Sequence, residues 1–356
     1  MRILHVMASR ANGGAETYCG DMIASLHAAG LSQLAVLPRR ALQHARLAAA
    51  GVVLAPEALD VRVGHWRRRR LARIIDGFGP DLVHCWMRRA ASLVPALPVP
   101  VIGWLGGYYD PARFARCSHF IAVTPALIAH LAAHGVPAGC AHYVPTFPTL
   151  EAGPPVDRAA LDTPAGAPVL LALSRLHHKK GLDVLLRALC ELPRCVAWLA
   201  GDGPLAGELH ALAHALGVAE RVRWLGWRSD RGALLRAADI GVLPSRWEPF
   251  GTVMLEAWAA ERPLVAAASQ GPSALIRDGE NGLLVPIDDA GELAAAVRRL
   301  LDDAELRARL IRQGLADYDR GFTREAVTQR MLAVYAAITA EGAGALRRGH
   351  EEHADG

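Results

Sequence analysis

Two carboxylates in the stretch Ser245-Arg-Trp-Glu-Pro-Phe-Gly-Thr-Val-Met-Leu-Glu256 stand in different settings. Glu248 precedes Pro249, and proline disfavours helix at the residue before it, so this acid belongs to a loop. Gly251 lets the chain turn, and Thr252 to Ala260 reads as a helix with Val253, Ala257 and Ala260 on one face, carrying Glu256 about one turn in. Free N–H groups at a helix start attract an anion, while a loop carboxylate beside them calls for hydroxyls or positive charge. A sugar joined to a diphosphate offers both. For this window by itself, a helix cap beside a surface Glu is the plainer alternative.

Two cations lie upstream in Arg175-Leu-His-His-Lys-Lys-Gly181, between an apolar strand, Val169 to Ser174, and a helix from Leu182 to Leu192. Arg175 and Lys180 flank that strand-to-helix loop, and Gly181 lets it turn. A helix start disfavours cations unless they face an anion, and each charge-assisted bond to a diphosphate is worth roughly 1.5–3 kcal/mol. The next strand, Cys195 to Ala200, ends in the glycine turn Gly201-Asp-Gly-Pro204, with Gly201 and Gly203 giving close backbone approach. Val222 to Leu225 leads to Gly226-Trp227-Arg228, where backbone and an indole suit a nucleobase. Trp227 as plain core is the alternative. Strands at Ala238 to Leu243 and Pro263 to Ala266 bracket the two-acid stretch, and Ser269 to Ser273 forms a further loop on the same edge.

The N-terminal half has the same alternation. Strands are expected near Arg2 to Met7, Gln33 to Leu37, Val52 to Ala55, Leu82 to Cys85, Val101 to Trp104 and Phe120 to Val123, which implies a parallel sheet. The turn Asn12-Gly-Gly-Ala-Glu16 opens a helix from about Thr17 to Ala29; Gly13 and Gly14 allow backbone to approach a ligand, and Glu16 lies near the helix start. It lacks the full G-x-G-x-x-G spacing of a dinucleotide site. Ligands of such sheets gather at the carboxyl ends of the strands, which here carry His84, Gly106-Gly107-Tyr108-Tyr109 and Thr124, a rim suited to a sugar-like acceptor. A lone His after a strand, such as His84, is more often a structural histidine.

Prolines and glycines break the alternation between Pro145 and Pro168, which divides the chain into 1–150, a linker at 151–167, and a second α/β domain at 168–322. A helix at 323–340 carries Val327, Met331, Leu332, Val334, Tyr335 and Ile338, and 341–356 reads as a disordered tail. With 52% hydrophobic and 21% charged residues in 356, the composition is that of a globular protein, without a membrane-length apolar run or a signal-peptide pattern, so a cytoplasmic location is expected. Six scattered cysteines suggest neither zinc nor a disulfide framework. Up to residue 155 there are 15 Lys+Arg against 8 Asp+Glu, and beyond it 24 against 27, so the positive charge sits in the first half. Trp66-Arg-Arg-Arg-Arg70, with Leu71, Ile74, Ile75 and Phe78, reads either as a basic helix face for an anionic membrane or as a solvated helix face. Stacking aromatics interleaved with the basic residues are missing, which argues against nucleic acid.

These motifs together resemble the family 4 glycosyltransferases of the GT-B fold, over nearly the whole chain. Glu248 and Glu256 within E-P-F-G-x-x-x-L-E, Arg175-x-x-x-x-Lys180-Gly, Gly201-Asp-Gly-Pro, Gly279-x-Asn-Gly-Leu-Leu-Val285 and Gly13-Gly-Ala-Glu16 occur in that family's order. The resemblance implies two Rossmann-like doubly wound domains facing a cleft, an acceptor-binding one first and a donor-binding one second, with the C-terminal helix packing back on the first. It implies a retaining, metal-independent, hexosyltransferase-like enzyme without a cofactor. Such an enzyme moves a sugar from a nucleoside-diphosphate sugar to a glycan or lipid-linked acceptor at the inner face of the cytoplasmic membrane, similar to bacterial lipopolysaccharide and envelope-glycan enzymes. By resemblance Arg175 and Lys180 hold the diphosphate, Glu256 the ribose and Glu248 the transferred sugar. Gly13, Gly14, Gly201, Gly203, Trp227, Arg228, Phe250, Gly251 and Thr252 complete the donor set, while Glu16, His84, Gly106, Gly107, Tyr108, Tyr109 and Thr124 meet the acceptor. Glu248, Arg175, Lys180 and His84 are the expected catalytic residues. The chain departs from the common pattern at Gly106, where many members have His, at Ala274, where an acid is frequent, and at Pro145-Thr-Phe147. A non-catalytic sugar-nucleotide binding protein, or another GT-B enzyme such as a sugar-nucleotide epimerase, is the alternative.

Overall fold

The computed structural model describes residues 1–9, 13–55, 59 and 64–351, without the side chains of 64, 65 and 342–351. The chain divides into two compact units, one formed by Met1–Thr146 with Arg324–Gly356 and the other by Phe147–Thr323. Each is built on a six-stranded sheet, and the strand pairs are parallel.

In the first unit the strands are β1 (Arg2–Met7), β2 (Ser32–Val36), β3 (Leu82–Trp86), β4 (Val101–Leu105), β5 (His119–Ala122) and β6 (Ala141–Tyr143), in the order β2-β1-β3-β4-β5-β6. The strand expected at Val52 to Ala55 is reduced to one bridge between Ala35 and Leu54, whereas β6 adds an edge strand the sequence pattern did not signal. All residues of β3 and β4 are buried, as expected for a parallel sheet covered on both faces. Helix Gly14–Ala28 follows β1, and the helix Arg324–Glu351 belongs to the same unit, burying Val327, Met331, Tyr335 and Ile338. Ser25 and Thr328 join these two helices through their hydroxyls at 2.7 Å. This last helix runs past its expected end at 340, so residues 341–351 are helical rather than a disordered tail; 352–356 lie outside the described residues.

In the second unit the strands are β7 (Val169–Leu173), β8 (Val196–Ala200), β9 (Val222–Gly226), β10 (Ile240–Leu243), β11 (Leu264–Ala267) and β12 (Leu283–Val285), in the order β12-β11-β10-β7-β8-β9. Chain order runs outward from β7 on one side and from β10 on the other. The topological switch point is therefore between β7 and β10, where open parallel sheets bind their ligands at the carboxyl ends. The proline- and glycine-rich segment before β7 is packed onto this unit. Arg158 donates to the Ala237 carbonyl at 2.8 Å and pairs with Asp239 at 2.9 Å, Trp198 Nε1 donates to Thr163 Oγ1 at 2.9 Å, and Glu151 accepts from the Gly232 amide at 2.9 Å. Proline and glycine mark the absence of regular structure there, and polar side chains supply the attachment.

Candidate functional site

The loops after β7, β10 and β11 are fastened to one another, and that is what assembles the expected donor residues. After β7, Gly181 adopts φ +61°, and a Cβ there would collide with the Pro244 carbonyl that follows β10. The Trp247 amide donates to the Lys179 carbonyl at 3.1 Å, and Arg246 grips Asp183 through two bonds of 2.8 and 2.7 Å while donating to the His178 carbonyl. The β11 loop joins through the Gly271 amide, which donates to the Glu248 carbonyl at 2.7 Å; a Cβ at Gly271 would strike the Phe250 carbonyl.

Two acid–base pairs result. Lys180 Nζ lies 2.5 Å from Glu248 Oε2, with the two side chains 20% and 13% exposed. Gly251, at φ +87°, caps the helix Thr252–Ala259, which delivers Glu256 into the interior at 1% exposure. Glu256 Oε1 accepts from Arg231 Nη1, a residue that sequence reasoning missed. Burial raises the Glu256 carboxyl above its usual range, the nearby Glu151 adds to this, and Arg231 works against it. Glu256 Oε2, Ser245 Oγ and Ser269 Oγ are buried without hydrogen-bond partners among the described residues. Ser245 and Ser269 follow the neighbouring strands β10 and β11, and Glu256 lies on the helix after β10. Buried polar groups are ordinarily paired, so atoms of this kind after adjacent strands are candidates for contact with a polar ligand.

The remaining donor candidates of the second unit fall on the same edge of its sheet. Arg175 is exposed at the end of β7, and Trp227 is 60% exposed after β9, which excludes its reading as plain core. Arg228 is held by Asp230 through bonds of 2.7 and 2.5 Å. Gly201 and Gly203 answer first to loop packing, since a Cβ at either would meet the carbonyls of Ser174 and Leu176 across the β7 loop. Phe250 is buried and Thr252 half-buried. A hollow of about 420 Å³ lies at the opposite edge of this sheet, lined by Arg158, Asp239, Arg262 and Arg307 among others. Its arginines are engaged by the carbonyls of Ala237, Ala260, Ala238, Leu300 and Leu301 and by Asp239, a seam that ties chain ends together.

In the first unit several expectations change. His84, expected on an acceptor rim and in catalysis, is wholly buried: Nδ1 is 2.5 Å from the Tyr335 hydroxyl, and its ring stacks on Trp86 at 4.2 Å. It pairs in register with His5 on β1, so both histidines belong to the apolar interior of the sheet, and burial lowers the pKa of each. The His5 network fixes its tautomer. Trp86 Nε1 donates to His5 Nδ1, so Nε2 carries the proton and donates to Gln33 Oε1, whose amide in turn donates to the Ile23 carbonyl. Thr124 is a helix cap, buried and accepting from the Leu127 amide, and Glu16 accepts from Ser9 Oγ at 2.6 Å and from the Gly13 amide at the helix start at 3.2 Å. Both side chains are engaged at the starts of their own helices. Gly13 is the N-cap of the first helix, and Gly14 faces open space. Gly106 lies against the Trp104 ring, Gly107 is buried, and Tyr109 is 49% exposed. His130 supports this corner, its Nε2 donating to the Tyr109 carbonyl at 3.0 Å and its ring meeting Tyr108 edge-on at 5.3 Å.

Comparison with known proteins bears on the family and the fold. Residues 155–317 match the model described as glycosyl transferases group 1, and residues 12–151 the model for glycosyltransferase family 4. The chain is 34% identical over 351 residues to the lipopolysaccharide core biosynthesis glycosyltransferase LpsE of Rhizobium meliloti (strain 1021), covering 95% of this chain and 99% of the relative. LpsD of the same organism is 32% identical over 342 residues, covering 94% and 98%. Among solved structures, Anabaena HepE in complex with UDP-glucose superposes with a TM-score of 0.83 at 23% identity, covering 95% of this chain and 100% of that one, which shows the fold. Two parallel sheets with their helices, loops meeting at the β7/β10 switch point and a relative similar end to end lead to one conclusion: this chain is a glycosyltransferase of the GT-B fold and belongs to family 4.

Proposed function

We propose that the chain transfers a hexose-like sugar, with retention at the anomeric carbon, from a nucleoside-diphosphate sugar to a glycan or lipid-linked acceptor of the bacterial envelope. The observation that carries this reading is the pairing of Lys180 with Glu248 at the carboxyl ends of β7 and β10, with the buried Glu256 on the helix that follows the Glu248 loop. The end-to-end similarity to LpsE and LpsD supports an acceptor of the lipopolysaccharide-core kind.

In this reading the bond between the anomeric carbon and the diphosphate oxygen breaks, and its electron pair leaves with the phosphate. Arg175 and Lys180 stabilise that charge as it develops, where fixed cations in a part-buried site act more strongly than in water. The acceptor hydroxyl forms the new bond to carbon and yields its proton to a leaving-phosphate oxygen. Glu248 receives hydroxyls of the transferred sugar and Glu256 those of the ribose. Trp227 and Arg228 flank the nucleobase, and Tyr108 and Tyr109 with Gly106 and Gly107 provide acceptor contacts in the first unit. Gly13 and Gly14 remain candidates for donor contact.

We further assign a peripheral contact with an anionic membrane, at the inner face of the cytoplasmic membrane, to the helix Gly64–Phe78. Its Trp66, Arg68, Arg69, Arg70 and Arg73 are exposed while Leu71 and Ile75 are buried. No helix among the described residues is long and apolar enough to cross a membrane.

The test is transfer itself. Purified protein with a panel of UDP-, GDP- and ADP-sugars and truncated lipopolysaccharide is expected to add one sugar to the acceptor and release one nucleoside diphosphate, and Lys180→Ala is expected to slow it about 100-fold or more. Isomerised donor without acceptor, a requirement for free phosphate, or binding without turnover across the panel would each replace this reading with another.

A further inference from the structure

We propose that Arg231 is a positioning residue for the nucleotide-binding acid: its guanidinium grips Oε1 of Glu256 and leaves Oε2 as a fixed acceptor for a ribose hydroxyl. This rests on the reading of Glu256 as the ribose-binding group.

The argument begins with burial. Glu256 is 1% exposed, one turn inside the helix Thr252–Ala259, and a carboxylate taken out of water is driven toward its neutral form. A neutral acid is a poor acceptor and is free to turn its proton toward either oxygen. Arg231 is the cation that opposes this. It stands at the start of the helix Arg231–Ala237, and its Nη1 donates to Glu256 Oε1. Glu151 makes the site more negative, so among the described residues one guanidinium and one competing carboxylate act on Glu256.

Arg231 is itself held in place. Its Nη2 donates to the Thr149 carbonyl at 3.2 Å, the neighbouring Gly232 amide donates to Glu151 Oε2 at 2.9 Å, and Arg236 Nη2 donates to the Glu151 carbonyl at 2.9 Å. A Cβ at Gly232 would press on that same carbonyl, so the helix and the segment around Thr149 and Glu151 lie directly together. Arg231 therefore joins three pieces of the second unit: its own helix, the segment preceding β7, and the acid after β10. A guanidinium gripped on two sides can present Glu256 in one orientation. Oε2, buried and without a partner among the described residues, is the oxygen left to receive a ligand.

Arg231→Gln, Arg231→Lys, Glu256→Gln and the double variant Arg231→Gln/Glu256→Gln are titrated with UDP, GDP and ADP and with the 2′,3′-dideoxy form of the tightest binder, between pH 5.5 and 8.5. Wild type is expected to prefer the ribose form at least 10-fold at every pH. Arg231→Gln is expected to lose most of that preference at low pH and regain part of it at high pH, while Arg231→Lys retains it. Adding Arg231→Gln to Glu256→Gln is expected to change little, since Arg231 acts through the acid. Should wild type fail to distinguish ribose from dideoxyribose, or bind none of the three diphosphates, the ribose role of Glu256 falls. Should wild type distinguish them and Arg231→Gln do so equally at all pH values, or should the two substitutions add in full, Arg231 is overturned while the ribose role stands. An Arg231→Gln protein too unstable to titrate leaves the decision to Arg231→Lys, whose loss of the preference would equally overturn the proposal.

Discussion

Lys180 Nζ and Glu248 Oε2 lie 2.5 Å apart, brought together from the loops after β7 and β10 by the close approach of Gly181 to Pro244. Neither loop alone makes a site. Their contact places a cation beside an acid at the one gap in the sheet where chain order reverses. Removing the ammonium with Lys180→Ala is expected to reduce turnover about 100-fold or more, the scale on which loss of one aimed electrostatic contact acts. Glu248→Gln keeps the shape and is expected to fall by a similar factor; steady-state rates close to wild type in both variants would remove the pair from the mechanism.

Gly181→Ala tests the loop contact apart from the charges. Its φ of +61° strains any side chain, and the Cβ would also strike the Pro244 carbonyl. A destabilisation of about 1–3 kcal/mol or more is expected, together with weaker nucleotide binding, because the Lys180 loop must back away from the Glu248 loop. Urea unfolding gives the first quantity and calorimetric titration the second; a fully stable variant with unchanged affinity is the contrary outcome.

The buried histidines of the first unit make its stability depend on pH. His5 is lowered to about 4 by burial, against 6.5 when exposed, and His84 is shifted in the same direction. Between those values the unfolded chain binds more protons than the folded one, so stability is complete above about pH 6.5 and declines as the pH falls toward 4. His5→Gln should flatten that acid limb while lowering stability at neutral pH through loss of the Trp86 and Gln33 bonds. Unfolding midpoints that do not change between pH 6.5 and 4.5 in wild type would show that the histidines are not held neutral.

Tyr335→Phe removes the hydroxyl that meets His84 and leaves both ring nitrogens buried without a partner, which is expected to cost about 1–3 kcal/mol. Because His84 is internal, the folded variant should keep its turnover number. A drop in kcat far beyond the loss of stability would restore a catalytic role to this histidine.

Attachment through the helix Gly64–Phe78 is electrostatic in the proposed reading, so binding to phosphatidylglycerol-containing vesicles should weaken steeply between about 50 and 300 mM salt. Replacing Arg68, Arg69 and Arg73 with Gln is expected to abolish it without affecting transfer to a soluble acceptor. Equal partition onto neutral and anionic vesicles would contradict the assignment.

The proposed donor residues were legible because they are carried by local motifs. A proline after Glu248, a glycine before the helix and a Lys-Gly turn each fix backbone within a few residues, and the strands that bear them are unbroken apolar runs. Arg231 was not legible. Asp230-Arg-Gly-Ala-Leu-Leu-Arg236 reads as an ordinary helix start, and only folding shows that Arg231 reaches a carboxylate 25 residues away. His84 misled for a related reason. A parallel sheet is covered on both faces, so a histidine inside a strand is core, and the matching His5 in the neighbouring apolar run was the available sign. Pro- and Gly-rich sequence before β7 announced irregular backbone but could not announce that Glu151 and Arg158 fasten it to the second unit.

The central claim is that Arg175, Lys180, Glu248 and Glu256 serve one bound nucleotide sugar. A crystal structure with the nucleoside diphosphate that binds tightest measures this directly. The expected result is a diphosphate oxygen within about 2.7–3.2 Å of Lys180 Nζ and of the Arg175 guanidinium, with a ribose hydroxyl at the same range from Glu256 Oε2. A nucleotide seated elsewhere, with the Lys180–Glu248 pair undisturbed and Glu256 Oε2 still without a partner, would contradict the account.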